Sequence, residues 1–284
     1  MFIAQTKAEL SSHAQAWQKE NLRIALVPTM GSLHEGHLSL VRIAKKQADK
    51  VIVSIFVNPT QFGPQEDLAA YPRNEARDRS LCEQEGVDAV FLPTPAEMYA
   101  PDASVTLMES TLSKTLCGRT RPSHFQGVLT VVNKLFNIAR ADVAVFGMKD
   151  AQQLAIIRRM VRDLDMPVKI IPAPIVREAD GLAMSSRNAY LTPEQRQQAL
   201  CLRRALDFAE VAWVQGNTPL DPVISKMRTL IEETPGTEID YINAVDSDTL
   251  APVSKLHAGV LIAVAVKIGH TRLIDNIVLS NTQH

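Results

Sequence analysis

The sequence predicts an α/β protein with a doubly wound parallel sheet, followed by a smaller C-terminal α+β domain. Short, nearly continuous apolar segments alternate with helical segments over residues 1–175. The first strand, helix and strand lie within residues 23–57 and form a βαβ unit, which implies a parallel pair with a right-handed crossover. After Pro174 the last three predicted strands follow one another without helices between them, which indicates an α+β arrangement.

The elements of the first domain, predicted over residues 1–175, follow in a regular order. Residues 6–20 predict a first helix. The apolar segment 23–27 ends at Pro28, apolar residues recur at helical spacing through 38–44, and the β-branched segment 51–57 follows. The same alternation predicts helices at 73–86, 128–139 and 150–164 and strands at 88–92, 142–146 and 168–171. Strands this continuously apolar are buried on both faces, as in a Rossmann-like fold.

The second domain, predicted over residues 176–284, begins with helices. A long helix is expected at 193–215, with Thr192 as its N-cap and Gly216 as its C-terminal stop. A second helix is expected at 221–233. The apolar segments 239–245, 259–266 and 272–278 then predict three strands.

Composition and charge exclude several classes of protein. The chain has 284 residues, 46% hydrophobic and 21% charged, with a formal net charge of -1. No basic surplus is present to neutralise a nucleic-acid backbone, so nucleic acid is not an expected partner. The three cysteines, Cys82, Cys117 and Cys201, are far apart and predict neither a disulfide framework nor a zinc site. No apolar signal segment or membrane span is visible, and we expect a cytoplasmic location.

The segment between the first strand and the next helix, residues 30–37, has the composition of a phosphate-binding turn. His34 and His37 are spaced i, i+3, so they share a face if this turn is helical. Imidazoles at a helix N-terminus can donate hydrogen bonds to phosphate oxygens and stabilise charge that develops at phosphorus. Gly31 and Gly36 allow the backbone to approach a ligand. The alternative is that both histidines cap the helix or lie on its surface.

Polar residues also follow two other predicted strands. Asn58 and Gln61 come after segment 51–57, where amides could orient a small polar substrate or simply close the strand. Lys149 follows segment 142–146 and could pair with a phosphate, while Asp150 could cap the next helix or hold magnesium through water. Gln152 and Gln153 are adjacent, so we expect only one of them to face a ligand.

Two further segments contain groups suited to anions. Residues 181–188 (GLAMSSRN) place two hydroxyls before a guanidinium, which suits a triphosphate but also an N-cap beside a surface arginine. Residues 118–125 (GRTRPSHF) are basic and loop-like. Arg119, Arg121 and His124 in that segment could reach an anionic substrate or form a solvated loop.

Together and in this order, the segments resemble the pantoate–β-alanine ligase family over essentially the whole chain. HEGH at 34–37 resembles the HIGH motif of the nucleotidylyltransferase group, and MSSR at 184–187 takes the place of its KMSKS motif. The matching segments are VPTMGSLHEGH (27–37), SIFVNPTQF (54–62), YPR (71–73), RPSHFQGV (121–128), FGMKDAQQL (146–154) and READGLAMSSRN (177–188).

The resemblance implies an ATP-dependent ligase of pantothenate biosynthesis that uses Mg²⁺. Pantoate carboxylate attacks the α-phosphorus of ATP, giving pantoyl adenylate and pyrophosphate. The amine of β-alanine then attacks the adenylate and gives pantothenate and AMP. The resemblance also implies a homodimer formed through the larger domain, and the second domain is a candidate lid over the site.

The family's site residues are carried over to matching positions of this chain. The implied catalytic residues are His34, His37, Lys149 and Arg187, and the implied substrate-binding residues are Asn58, Gln61 and Gln153. The implied ATP-binding positions are Met30, Gly31, Ser32, Leu33, His34, Glu35, Gly36, His37, Gly147, Met148, Lys149, Asp150, Val176, Met184, Ser185, Ser186 and Arg187. Met148 departs from the family pattern, in which many members have Glu, and its side chain is assigned no role. No residue is assigned as a direct metal ligand.

Two other functions are compatible with the same motifs. One is a different nucleotidylyltransferase, which would produce a dinucleotide or a CDP-alcohol. The other is a non-catalytic ATP-binding sensor. Gln61 and Gln153 favour a small hydroxy-acid pocket over the first alternative, and the paired His34 and His37 disfavour the second.

Overall fold

The computed structural model describes residues 1–216 and 219–280, in which the strands form two sheets. The larger sheet contains β1 (Phe2–Ala4), β2 (Ile24–Thr29), β3 (Lys50–Ile55), β4 (Ala89–Phe91), β5 (Val143–Gly147) and β6 (Lys169–Ala173). Its strand order is β1-β4-β3-β2-β5-β6, and its neighbouring strands are parallel. The predicted fold class is confirmed, with one strand more than the sequence predicted.

Helices connect these strands. They are α1 (Lys7–Lys19), α2 (Glu35–Lys45), α3 (Glu75–Gln84), α4 (Pro95–Met98), α5 (Cys117–Thr120), α6 (His124–Ala139) and α7 (Ala151–Asp163). Three short 3₁₀ turns lie between them, at Pro59–Gln61, Leu112–Lys114 and Met148–Asp150. The helix predicted at 128–139 begins four residues earlier, at His124, because the preceding residues of the basic segment form its first turn.

The two faces of the larger sheet are covered by separate layers of side chains. Ile24 and Leu26 of β2 pack with α1, α6 and α7 on one face. Ala25 and Val27, the alternate residues of the same strand, pack with α2 and α3 on the other. Successive side chains of a strand point to opposite faces, so an apolar segment without alternation is what a sheet covered on both sides requires.

The strand order fixes where a ligand can bind. From β2 the chain proceeds outward through β3 and β4, whereas β5 and β6 continue from the opposite side of β2. The order therefore reverses between β2 and β5. In an open parallel sheet the crevice beyond the carboxyl ends of the strands at such a switch point is the usual ligand site.

The C-terminal part contains a small antiparallel sheet packed on helices. Its elements are the 3₁₀ helix Ser186–Tyr190, α8 (Pro193–Gln198), α9 (Leu200–Val214), α10 (Leu220–Glu232), β7 (Thr237–Asp246), β8 (Val260–Ile268) and β9 (Thr271–Val278). The strands pair in the order β7-β8-β9. One face of this sheet packs against α9 and α10. Val245 and Leu261, from its other face, pack into the main core of the larger sheet.

The sequence left one element unpredicted and predicted another wrongly. The sequence did not reveal β1, because three apolar residues are too short a segment to show a period. The long helix predicted at 193–215 is two helices, α8 and α9, which meet at Ala199. There the amide of Leu202 bonds to the carbonyl of Ala199, three residues back instead of four, which tightens the turn. The predicted cap at Thr192 and stop at Gly216 are confirmed.

Candidate active site

A cavity of about 240 Å³ lies beyond the carboxyl ends of β2 and β5. It brings together segments that are remote in sequence: the turn after β2, the turn after β3, the turn after β5 and the segment 184–187. The predicted site residues that line it are Met30, His34, Gly36, His37, Asn58, Gln61, Gly147, Lys149, Asp150, Gln153, Met184, Ser185, Ser186 and Arg187. A second cavity, of about 750 Å³, adjoins it through Lys149, Gln153 and Arg187 and extends to the small sheet.

His34 and His37 lie against each other at the start of α2. Their ring centroids are 4.1 Å apart, with an angle of 40° between the ring planes. His34 occupies the N-cap position, and its backbone N–H donates to Nδ1 of His37 at 3.3 Å. Because Nδ1 of His37 is an acceptor, Nε2 is the nitrogen of that ring that donates. Nδ1 of His34 is buried and has no hydrogen-bond partner among the described residues.

Both imidazoles are neutral at pH 7. Burial, followed by the positive charge of the nearby Lys149, lowers the pKa of His34 to about 4. Burial, followed by the proximity of His34 and Lys149, lowers the pKa of His37 to about 3. A neutral ring still donates a hydrogen bond, so each can stabilise negative charge on phosphate oxygens without being a cation.

Helix α3 holds the turn that precedes the histidines. The two carboxylate oxygens of Asp78 accept hydrogen bonds from the amides of Ser32, at 2.8 Å, and Leu33, at 2.7 Å. Arg77 donates to the carbonyl of Leu33 at 2.8 Å. Asp78 is 1% exposed, so this carboxylate is a fixed part of the interior. The amides of Ser32 and Leu33 are thus already occupied by protein groups.

Gly36 is required by the position of the His34 ring. A Cβ at residue 36 would lie 2.8 Å from Cε1 and 2.9 Å from Nδ1 of that ring. It would also lie 3.7 Å from Cβ of Met184, which comes from the segment that resembles the second family motif. The absence of a side chain at residue 36 therefore leaves room for the His34 ring, whereas the distance to Met184 is that of an ordinary van der Waals contact.

The amide of Asn58 is fully engaged inside the protein. Its Nδ2 donates to Oε1 of Gln61 at 3.1 Å and to the carbonyl of Gly127 at 3.2 Å. Its Oδ1 accepts from Tyr99 at 2.7 Å and from Thr60 at 3.0 Å. Asn58 is 1% exposed. This arrangement orients the side chain of Gln61, and the predicted direct contact of Asn58 with substrate stays a prediction.

The basic segment also holds Gln61, through its backbone. Nδ1 of His124 lies 2.9 Å from the Gln61 carbonyl, and Arg121 donates to the same oxygen at 3.3 Å. Arg121 forms an ion pair with Glu66 at 2.6 Å. Burial and the adjacent Arg121 lower the pKa of His124 to about 4. Arg121 and His124 line both cavities, whereas Arg119, the third candidate in this segment, is exposed and lines neither.

The turn after β5 directs Lys149 and Asp150 to the cavity. Asp150 occupies the N-cap position of α7, but its side chain makes no capping hydrogen bond, so that predicted structural role is wrong. Of the two glutamines that follow, Gln153 lines the cavity. Gln152 is 5% exposed and bonds to the backbone of the loop that packs beside α7. Both glutamines line the larger cavity, so the prediction that only one of the two faces a ligand stays a prediction.

The segment 184–187 lies directly beside the histidine turn. The hydroxyl of Ser186 donates to the carbonyl of Ser32 at 3.3 Å. The hydroxyl of Ser185 accepts from the amide of Arg187 at 3.3 Å and begins the 3₁₀ helix. The guanidinium of Arg187 lies over the ring of Tyr71, 5.4 Å from its centroid, and forms an ion pair with Asp67.

The other predicted ATP-binding positions, all within the described residues, do not line either cavity. Glu35 is exposed and forms an ion pair with Arg42, so its side chain faces solvent. The carbonyl of Val176 accepts from the amide of Met184 at 3.0 Å. The six predicted ATP-binding positions that line neither cavity are Gly31, Ser32, Leu33, Glu35, Met148 and Val176.

Several residues of the site gave no signal in the sequence. Asp78 lies within a polar helical segment, where nothing distinguishes a buried carboxylate from a solvated one. Tyr99 follows a short helix far from Asn58 in sequence. The residues missed are Asp67, Arg77, Asp78, Tyr99, Asp275 and Asn276.

The fold and the cavity define the class of protein. A parallel sheet with a polar cavity at its switch point, and a helix that begins there, is the arrangement of nucleotide-binding α/β proteins. Comparison with known proteins gives the family. The family model described as pantoate-beta-alanine ligase matches residues 2–278, and the chain belongs to this family.

Curated relatives and solved structures agree with this assignment. The chain is 52% identical over 279 residues to a pantothenate synthetase of Thermotoga petrophila, which covers 98% of this chain and 100% of that protein. The corresponding protein of Moorella thermoacetica is 53% identical over 279 residues, covering 98% and 99%. The crystal structure of pantothenate synthetase from Thermus thermophilus superposes with a TM-score of 0.93 at 42% identity, covering 99% and 100%.

A further structural neighbour has bound ligands. It is the pantoate-beta-alanine ligase from Francisella tularensis, described as complexed with beta-gamma ATP and beta-alanine. It superposes with a TM-score of 0.82 at 34% identity, covering 98% of this chain and 97% of that one.

Proposed function

We propose that the protein joins (R)-pantoate to β-alanine at the expense of ATP, giving pantothenate, AMP and pyrophosphate. Membership of the pantoate–β-alanine ligase family supports this activity, as do relatives named pantothenate synthetase at about half identity. The observation that supports it most directly is geometric. His34 and His37, Lys149 and the Ser185–Arg187 segment come from three distant parts of the chain and line one cavity.

The reaction has two displacement steps. In the first, a carboxylate oxygen of pantoate forms a bond to the α-phosphorus of ATP, and the bond from that phosphorus to the bridging oxygen breaks, releasing pyrophosphate. In the second, the amine of β-alanine forms a bond to the acyl carbon of pantoyl adenylate. The carbon–oxygen bond to the phosphate breaks, AMP leaves, and the amine loses a proton.

The first step brings two anions together, and the cavity supplies donors against their repulsion. Nε2 of His37 and the ring of His34 would donate to phosphate oxygens as neutral groups. Lys149, which lines the cavity, would supply positive charge. Charge stabilisation of this kind is worth most in a site that excludes water. Holding the carboxylate in line with the phosphorus could contribute on the order of 7–11 kcal/mol, as in well-oriented intramolecular reactions.

Pantoate would lie between Gln61 and Gln153. Gln61 is 9% exposed, and its Nε2 contacts the sulfur of Met30 at 3.2 Å, so its side chain is directed into the cavity. Apolar side chains of α6, among them Val131 and Leu135, line the same cavity and suit the methyl groups of pantoate. Gln61 would also help to place β-alanine for the second step.

Magnesium fits this site as a partner of the triphosphate. No group of three or more acidic, histidine or cysteine side chains among the described residues could hold a metal ion unaided. Mg²⁺ prefers oxygen ligands and keeps several waters, so one carboxylate together with phosphate oxygens suffices. Asp150 lines the cavity without a capping hydrogen bond and is the residue that would hold the ion through water. The ion would neutralise charge on the phosphates.

The decisive experiment separates the two steps. Protein, ATP and Mg²⁺ are mixed with pantoate alone, and pyrophosphate is measured; β-alanine is then added, and AMP and amide are measured. We expect pantoate-dependent pyrophosphate release first and pantothenate only after the amine is added. Release of pyrophosphate with a different acid but not with pantoate would indicate another transferase. ATP binding without pyrophosphate release from any acid would indicate a sensor.

We further propose a homodimer and a cytoplasmic location. Val105 and Met108 are 85% and 77% exposed on an extended segment of the larger domain, and such apolar side chains suit a subunit contact. Light scattering would show twice the chain mass if this is correct. Cys82, Cys117 and Cys201 are free and buried, which suits a reducing compartment. No helix within residues 1–216 and 219–280 is long and apolar enough to cross a membrane.

We also propose a domain boundary between residues 175 and 176, with the second domain acting as a lid over the site. The acyl adenylate would hydrolyse if water reached it, so closure over the site would protect it. The adjoining cavity of about 750 Å³ is lined both by residues of the ATP-binding turns, among them Lys149, and by residues of the small sheet, among them Leu261, and would give the second domain space to close.

A further inference from the structure

Two consecutive residues of β9, Asp275 and Asn276, connect the small sheet to the turns that would bind ATP. They are 2% and 4% exposed. Because successive side chains of a strand point to opposite faces, the two reach different partners. Neither residue belongs to a segment on which the family resemblance depends.

Asn276 bonds to the turn that contains Lys149. Its Nδ2 donates to the carbonyl of Met148 at 3.0 Å and to the carbonyl of Lys149 at 2.9 Å. Two successive carbonyls bound to one amide group fix the orientation of the peptides on both sides of the Lys149 Cα. The direction in which the lysine side chain leaves the backbone is thereby fixed, and it leads into the cavity.

Asp275 holds the approach to the other ATP-binding segment. Its carboxylate forms a two-point ion pair with Arg177, at 2.7 and 3.0 Å. Arg177 also donates to the carbonyl of Gly181 at 3.1 Å. Residues 177–183 form the small hairpin that leads to Ser185. One edge strand thus contacts both the turn after β5 and the hairpin before the serines.

We propose that Asn276 is a positioning residue for the first chemical step, which it serves by holding the Lys149 backbone so that the ammonium meets the triphosphate. The inference rests on the proposed function only in the role given to Lys149. Asn276 bonds to the backbone of the turn and lines the larger cavity, not the smaller one that His34 and His37 line.

The test is a double-mutant cycle of Asn276→Ala and Lys149→Ala in the full-length protein. ATP binding is measured by calorimetry without pantoate, and single-turnover pyrophosphate release is measured with pantoate. Asn243→Ala is the matched control. Asn243 lies on the same face of the small sheet, because Ala263 pairs with Asn243 on one side and with Asn276 on the other. It makes no hydrogen bond to residues 147–150, all of which the structure describes.

We expect Asn276→Ala to slow the first step by about 10–100-fold, the usual effect of misplacing a reacting group by about 1 Å. ATP should bind more weakly, and the KM for β-alanine should stay within about twofold. Asn276→Asp, which turns a carboxylate oxygen toward the two carbonyls, should slow the first step more than Asn276→Ala does. In the Lys149→Ala background, Asn276→Ala should slow the first step by less than about a further twofold. Its effect acts through the lysine side chain, which that background has already lost.

If Asn276→Ala slows the first step equally in the wild-type and Lys149→Ala proteins, its effect is a general structural one and the proposal is overturned. An Asn276→Ala variant that behaves like Asn243→Ala would also overturn it. If the wild-type protein binds ATP but does not react with pantoate, the proposed function fails, and the ATP-binding cycle still decides the role of Asn276. A wild-type protein that binds no ATP would overturn both.

Discussion

Arg187 and Asp67, which both line the larger cavity, form a two-point ion pair. Nε and Nη2 of the guanidinium each lie 2.9 Å from a carboxylate oxygen. Nη1 makes no hydrogen bond to a described residue, so the arginine keeps one edge available for an anion. Tyr190 donates to the same carboxylate at 3.4 Å. Asp67 therefore orients Arg187 while leaving it able to bind phosphate.

Removing this carboxylate should weaken ATP binding. Asp67→Ala should raise the KM for ATP about tenfold, because hydrogen bonds to a charged group contribute about 1.5–3 kcal/mol and part of that orients the arginine. Steady-state kinetics at varied ATP measure it. Glu85→Ala, which breaks the surface ion pair with Arg42, is the control and should leave the KM for ATP unchanged. A lower KM in Asp67→Ala would mean that Asp67 competes with ATP instead of orienting the arginine.

His37 is the ring whose donor nitrogen the structure identifies. His37→Ala should lower turnover by about 10²–10⁴, the range for a positioned proton donor or charge stabiliser. The fold should persist, as judged by circular dichroism and melting temperature. His257→Ala, an exposed histidine remote from the cavity, is the control. Wild-type turnover in His37→Ala would remove this ring from the mechanism.

The histidine pair should also shape the pH dependence of stability. In the folded protein the pKa values of His34 and His37 are about 4 and 3, below the value of about 6.5 for an unfolded chain. Below pH 6.5 the unfolded chain therefore takes up protons that the folded one does not, and the free energy of unfolding falls toward pH 4.

Nuclear magnetic resonance can follow these rings directly. The Cε1–H signals of His34 and His37, assigned with single variants, should show at most about a tenth of the full titration shift between pH 8 and pH 5. A urea-denatured sample, in which every imidazole titrates near pH 6.5, is the reference. A transition of either ring near pH 6.5 in the folded protein would show that it is solvated and that the pair is not neutral by burial.

Adjacent Gln152 and Gln153 offer a matched comparison. Gln153→Ala should raise the KM for pantoate more than that for ATP and leave the melting temperature nearly unchanged. Gln152→Ala should instead destabilise the fold, because its side chain makes three bonds of 2.7–2.9 Å to the backbone of Leu112, Thr115 and Cys117. A loss of about 2–4 kcal/mol is expected from buried groups left unpaired. Should Gln153→Ala impair ATP alone, the substrate pocket is assigned wrongly.

Gly127 permits helix α6 to approach the Gln61 turn. A Cβ at residue 127 would lie 2.3 Å from the carbonyl oxygen of Thr60 and 2.6 Å from the amide nitrogen of Gln61. Gly127→Ala should therefore displace that turn, lower the melting temperature and raise the KM for pantoate. Gly63→Ala, whose Cβ would meet only Glu66 at 3.6 Å, is the control. Equal behaviour of the two variants would contradict this account.

The sequence predicted those parts of the fold and site that depend on local pattern. Apolar segments such as Ile24–Thr29 are visible because a strand buried on both faces has no polar positions. His34 and Lys149 are visible because they directly follow such strands. Asp78 and Asn276 are not, because each acts through a backbone contact more than 40 residues away along the chain. A single sequence contains no signal for such a pairing.

The neutral state of the two imidazoles affects how readily the enzyme turns over. Two cationic rings would attract the departing pyrophosphate by Coulomb forces, which are strong in a poorly hydrated interior. Uncharged donors hold an anion only through hydrogen bonds, which water can replace once the site opens. We therefore expect the neutral pair to retain pyrophosphate less tightly than a charged pair would.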